Sequence, residues 1–173
     1  MMLSRLALLL TCALVPVPTE VAANVALPRA LTSVADKVVV LKSQRKLMLM
    51  SAKQTLKTYR ISLGANPVGA KFRRGDHKTP EGLYTLDRRN AKSQYYRSIH
   101  ISYPNADDRA LARKLGVSPG GDVFLHGWPN GYKPSAETED LGDWTDGCIA
   151  VSDPEMDEIW RAVPNGTPIE IRP

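Results

Sequence analysis

The sequence predicts a mostly β fold with two short helices late in the chain, a curled and largely antiparallel sheet structure. Three observations predict it. Apolar, β-branched runs of strand length recur along the chain, separated by turns containing Gly, Pro and Asn. The first three runs are joined by short polar connections, which allow antiparallel but not parallel neighbours. Only two stretches carry helix start and stop signals.

Val38-Val39-Val40-Leu41, within Asp36–Ser43, is a strand by its β-branched content. Gln44-Arg45-Lys46 is a polar turn, and Leu47–Met50 is the return strand. Thr55–Leu63 is a third strand, with Leu56, Thr58, Arg60 and Ser62 on one face, and it runs into the turn Gly64–Gly69. Lys71–Glu81 is polar, broken by Gly75 and Pro80, and reads as a loop. Gly82–Asp87 is a strand, Arg88–Tyr96 a polar loop, and Ser98–Tyr103 a strand bounded by Pro104-Asn105. Asp107–Leu115 is the first helix, stopped by Gly116. Pro119-Gly120-Gly121 turns into an apolar strand, Asp122–Leu125, that ends in His126-Gly127. Asp153 reads as the N-cap of the second helix, with Pro154 at its first position. Met156, Ile159, Trp160 and Val163 form its apolar stripe, Pro164-Asn165-Gly166 ends it, and Pro168–Ile171 is the last strand.

A chain of 173 residues with 43% hydrophobic and 24% charged residues fits one domain with a core of ordinary size. The net charge is +5, and no basic patch is interleaved with aromatics, which argues against nucleic acid. A mildly basic surface suits an anionic wall polymer or membrane surface, although solubility is its ordinary cause. Arg5, the apolar run Leu6–Val17 and the small residues Val21-Ala22-Ala23 read as an export signal, with cleavage expected after Ala23. The run is too short to span a bilayer, and Thr11 before Cys12 makes a poor lipoprotein box. The expected organisation is a signal over 1–23, a leader over 24–35 and one domain over 36–173.

Cleavage would leave Cys148 as the single thiol, with no intramolecular partner in an oxidising compartment. An isolated cysteine is most simply an inert core residue. Here the thiol follows the polar turn Asp143-Trp144-Thr145-Asp146-Gly147, and His126 stands at another strand end. A thiol and an imidazole so placed are the raw material for a nucleophile and its base. A neighbouring imidazolium is the usual way to populate the thiolate. Gly147 allows a sharp turn and is expected to leave the N–H groups of Gly147 and Cys148 free for an oxyanion. Thr145 is expected to cap a backbone N–H with its hydroxyl.

Asp146 would raise the pKa of a thiol beside it, so a turn-fixing, outward-facing or amine-binding role is favoured over catalysis. Trp144 and Trp128 flank the two motif pieces and either pack or line a cleft. Tyr103 and Arg97 are candidates to meet a peptide carboxylate, with a solvated surface favoured for Arg97. His100 alternates within a strand and reads as structural, and His77 reads as solvated in a polar loop. The three histidines lack close metal-ligand spacing, so no zinc site and no cofactor are expected.

At these residues the chain resembles the L,D-transpeptidases with a YkuD-type catalytic domain. Their signature is a histidine, a loop, and then Ser/Thr-His-Gly-Cys; here it reads His126, a somewhat longer loop, then Thr145-Asp146-Gly147-Cys148. The motif histidine is replaced by Asp146, and an arginine often found after the cysteine by Ala150. Asp143-Trp144-Thr145-Asp146-Gly147-Cys148-Ile149-Ala150-Val151 resembles a murein-active subgroup. The likeness extends upstream through Gly75–Tyr84 and Ile101–Asn105 and covers roughly residues 36 to 172. It implies a β-sandwich-like curled mixed sheet with a capping helix and the cysteine at the mouth of a cleft. It implies that the Gly127 carbonyl orients His126. It also implies a periplasmic enzyme whose Cys148 forms a thioester with a peptidoglycan stem peptide, at the L-centre of diaminopimelate before a terminal D-residue. An amine acceptor would give transpeptidation; water would give carboxypeptidase or amidase activity, including release of a wall-linked lipoprotein. Rival readings are a non-catalytic wall-binding module and a cysteine protease of ordinary L-peptides.

Overall fold

The computed structural model describes residues 33–135 and 142–173. The expected signal, Cys12 and most of the leader lie outside these residues. Within them the apolar runs become strands β1 (Lys37–Leu41), β2 (Lys46–Ser51), β3 (Gln54–Arg60), β4 (Gly82–Ser93), β5 (Tyr96–Ile101), β6 (Phe124–His126), β7 (Ile149–Ala150) and β8 (Thr167–Arg172). They form one sheet in the order β3-β2-β1-β8-β4-β5-β6-β7. The start is antiparallel, as expected, with Val39 opposite Met48 and Leu47 opposite Tyr59. The sheet is nevertheless mixed, because β8 runs parallel to β1 and β7 parallel to β6.

Its two ends meet. Beyond β3 the chain bridges to the β7 end, with reciprocal N–H···O bonds of 2.9 Å between Ser62 and Ala150. Gly64 bridges Thr145 in parallel. The sheet therefore curls around its core, where Val38, Leu47, Leu63, Leu86, Leu125 and Ile169 are fully buried. This curl brings the end of β3 beside the polar turn before Cys148.

α1 (Ala106–Leu115) and α2 (Asp153–Ala162) are both closed by capping boxes. Asn105 accepts from the N–H groups of Asp107 and Asp108, and Gly116 ends α1 in a left-handed conformation. The N-cap of α2 is Ser152 rather than Asp153, because the Ser152 hydroxyl accepts from the Glu155 N–H while Glu155 reaches back to the Ser152 N–H. Asp153 is thereby free to accept from the Trp128 N–H at 2.8 Å. Met156, Ile159 and Ala162 bury against the sheet, and Trp160 is capped by the guanidinium groups of Arg89 and Arg97.

Arg88–Tyr96, expected as a loop, instead extends the β4–β5 hairpin, with Ser93 opposite Tyr96. This arm is largely exposed, so it carries no apolar alternation to mark it as a strand. Asn130 clamps its tip: its N–H donates to Gln94, its side-chain NH2 to Ser93, and its side-chain carbonyl accepts from the Tyr96 N–H.

Candidate active site

β6 and β7 lie side by side and in parallel, with His126 level with Ala150. The register puts Cys148, just before β7, beside Phe124, whose N–H points at Sγ from 3.4 Å. The thiol faces the Asp122 carbonyl at 3.9 Å. Cys148 and His126 line one cavity of about 440 Å³, together with Tyr95, Phe124, Trp144 and Thr145.

His126 is buried, and its Nδ1–H donates to the Gly127 carbonyl at 2.7 Å. A carbonyl can only accept, so Nδ1 carries the proton and Nε2 is left as the basic nitrogen. Tyr95 and Trp144 stand against the imidazole, with ring centres 4.6 and 5.7 Å away. Burial lowers the His126 pKa, opposed by the Gly127 hydrogen bond. Burial also raises that of Cys148, as do the negative charges of Asp146 and Asp122, against the Phe124 N–H and Lys71, which lower it. Both shifts favour a resting pair of neutral thiol and neutral imidazole over a thiolate–imidazolium pair. Such a pair reacts by transfer of the thiol proton to the imidazole as sulfur attacks.

The turn before Cys148 is tied internally. The Thr145 hydroxyl accepts from the Gly147 N–H at 3.1 Å and donates to the Cys148 carbonyl at 2.8 Å. This is the capping expected of Thr145. It also corrects the expectation for Gly147, whose N–H is already engaged, leaving the Cys148 amide as the candidate oxyanion donor at the turn. Gly147 has a different task. It sits at φ 127°, and a Cβ there would stand 2.5 Å from the Lys78 carbonyl. Asp143, just upstream, accepts from the Leu63 N–H and from Arg45 Nε, each at 3.0 Å.

Trp144 and Asp146 line the first cavity, as a cleft role requires. Tyr103 does not. It is buried in the core, with its hydroxyl on the Pro119 carbonyl at 2.9 Å, because it lies just past β5 facing inward. Trp128 packs edge-on against Tyr132 and is not among the residues that line the cavity. Arg97 pairs with Asp157 at 2.9 Å, and His100 is buried against Asp87 at 2.7 Å. Among the described residues no three His, Cys, Asp or Glu side chains converge to hold a metal ion.

Sequence reasoning missed two contributors. Tyr95 lies in the stretch read as a polar loop, and nothing local marks it. His77 is half exposed, as a solvated loop residue should be, and its Nδ1–H also donates to Asp146 Oδ1 at 2.7 Å. His77, Asp146 and Cys148 all line a second cavity of about 390 Å³, with Lys71, Arg74 and Asp122.

The family model of the YkuD L,D-transpeptidase catalytic domain matches residues 35–171. The chain belongs to this family. Bd1075 of Bdellovibrio bacteriovorus is 26% identical with a TM-score of 0.56, over 84% of this chain and 53% of that one. The helical cell shape determining protein Pgp2 of Campylobacter jejuni shares the fold at 23% identity and a TM-score of 0.59, over 78% of this chain and 46% of that one. YafK of Escherichia coli (strain K12), which carries an L,D-transpeptidase name, is 34% identical over 113 residues, 64% of this chain. The chain thus aligns with only 38% of the length of YafK. Among the described residues no helix is long and apolar enough to cross a membrane.

Proposed function

We infer that this YkuD domain is a peptidoglycan L,D-transpeptidase of the murein-active kind, delivered to the periplasm by residues 1–23. Cys148 attacks the stem-peptide carbonyl at the L-centre of diaminopimelate, and the thiol proton passes to His126 Nε2. The peptide C–N bond breaks, the leaving amine takes that proton, and an acyl thioester remains on Cys148. An amine then takes the acyl group. The single observation that carries this reading is His126, held by the Gly127 carbonyl in the basic tautomer, in one cavity with Cys148.

Hydrolysis of the same thioester is the second reading. The carboxylate of Asp146, 91% exposed two residues before the nucleophile, favours a cationic group at the mouth. That group suits a diaminopimelate amine as acceptor and equally a lysine-linked lipoprotein as leaving group. Sacculi, tetrapeptide stems and lipoprotein-linked muropeptides, incubated separately with the enzyme, decide between them by mass spectrometry. New stem-to-stem cross-links support the transferase; free lipoprotein without cross-links replaces it with the hydrolase. Cys148→Ala loses both activities, and full turnover in that variant removes the whole reading.

A further inference from the structure

His126 serves the chemistry above, which leaves a second histidine at the site without a task. His77 lies on the loop between β3 and β4 with φ 53°, a left-handed conformation uncommon for a residue with a side chain. Its surroundings impose it. The neighbouring Asp76 carboxylate is buried and accepts from the N–H groups of Phe72, Arg73 and Lys78 and from Lys71 Nζ, at 2.7 to 3.2 Å. The His77 carbonyl accepts from the Asn66 N–H at 2.9 Å. Gly64 lets this loop in, since a Cβ there would fall 2.2 Å from the His77 carbonyl oxygen, and Gly147 does the same for Lys78. The loop is thus pressed backbone-first against the nucleophile turn.

There the His77 ring meets Asp146. A carboxylate that accepts from Nδ1–H leaves Nε2 with its lone pair. An exposed pair of this kind adds little to stability, and these side chains are 54% and 91% exposed. Cys148 lines both cavities, His126 only the first and His77 only the second. Cys148 therefore shares one cavity with each of two histidines, and each histidine's Nδ1–H is engaged, by Gly127 and by Asp146.

We propose that His77, positioned by Asp146, is the base that deprotonates the acyl acceptor as it attacks the Cys148 thioester from the second cavity. The inference rests on Cys148 being the acylated nucleophile. The acceptor is a neutral primary amine or water. A C–N or C–O bond forms at the thioester carbon, the C–S bond breaks, and the acceptor proton passes to His77 Nε2. Cys148 leaves as thiolate and regains a proton from solvent, to which His77 returns its own. His126, neutral again once its proton has gone to the first leaving amine, faces the first cavity, and the acceptor arriving by the second meets His77.

The test separates formation of the thioester from its resolution. The full chain and its His77→Asn, Asp146→Asn and Asp146→Ala variants are given a disaccharide-tetrapeptide, with and without a stem-peptide amine acceptor. Asn tolerates the left-handed backbone at 77, and thermal unfolding checks each fold. For His77→Asn, kcat falls by about tenfold to a hundredfold while kcat/KM stays near wild type, and the acyl-enzyme accumulates in intact mass spectra. Asp146→Asn still accepts from Nδ1–H and keeps most of kcat; Asp146→Ala follows His77→Asn. A folded His77→Asn with unchanged kcat overturns the proposal, as does a parallel fall in kcat and kcat/KM. If wild type turns substrate over without any acyl-enzyme, the nucleophile reading fails and takes this proposal with it.

Discussion

The two cavities beside Cys148 are built in opposite ways. On one side His126 is buried, anchored by a backbone carbonyl and walled by Tyr95 and Trp144. On the other, His77 is exposed and anchored by the carboxylate of Asp146. A carbonyl fixes the tautomer without adding a charge, which suits a site where Asp146 and Asp122 already work against the thiolate. A carboxylate anchor is tolerable where water screens it. The first arrangement fits a base that must take a proton from a neutral thiol; the second fits one that meets acceptors arriving from solvent.

The comparison breaks most sharply at His126. His126→Ala should slow thioester formation about 10²-fold or more, read from the initial rate of acyl-enzyme appearance. A folded variant with wild-type rate and pH profile would reduce His126 to a structural residue. Gly147→Ala should come close behind, since its methyl would press on the Lys78 carbonyl and move both cavities at once. A displacement of about 1 Å costs on the order of 10²-fold, so kcat and kcat/KM should fall together. Unchanged kinetics would mean that the 77–78 loop does not bear on the turn before Cys148.

The second cavity also depends on the buried Lys71–Asp76 pair beneath it. Asp76→Asn should destabilise the fold by roughly 3 kcal/mol in urea unfolding, because it leaves a buried ammonium without its counter-charge. Burial alone would raise the Asp76 pKa, but Lys71 and three backbone N–H groups outweigh it and hold the pKa at about 2. A depressed carboxylate stabilises the fold above its unfolded pKa. Wild type should therefore lose stability as pH falls from about 4 through about 2, and the variant should lack that slope. The same acid slope in both would place the stabilising charge elsewhere. The smallest effect is a shift of an inflection. Alkylation of Cys148 by iodoacetamide should rise with pH above the ordinary thiol range, and an inflection well below that range would mean a resting thiolate–imidazolium pair instead.

What was legible in the sequence was mostly local. β-branched runs, the Asn105 and Gly116 neighbourhood and the Asp153-Pro154 start depend on residues a few positions apart, and they mark the elements to within a residue or two. The Thr145 hydroxyl bond spans only two residues and was readable for the same reason. The exposed end of β4 was not, because a strand wet on most of its surface has no apolar period. Nor was the placing of β8 beside β1, which depends on the whole sheet. His77 and Asp146 lie 69 residues apart, and only two glycines in close packing join them. Tyr103 misled because an aromatic at a strand end looks the same whether it faces the core or a cleft. The Gly127 carbonyl contact came from family resemblance alone, since no side-chain pattern encodes a backbone partner.

The central claim is that Cys148 carries the acyl group between the two histidines. Its most direct measurement is the intact mass of the protein mixed for a short time with a disaccharide-tetrapeptide, followed by mapping of the modified peptide. The account predicts a gain equal to the donor less its terminal D-residue, located on Cys148 and absent in Cys148→Ser. Turnover of the same substrate with no adduct on Cys148 at any time, or an adduct that survives in Cys148→Ser, would contradict it.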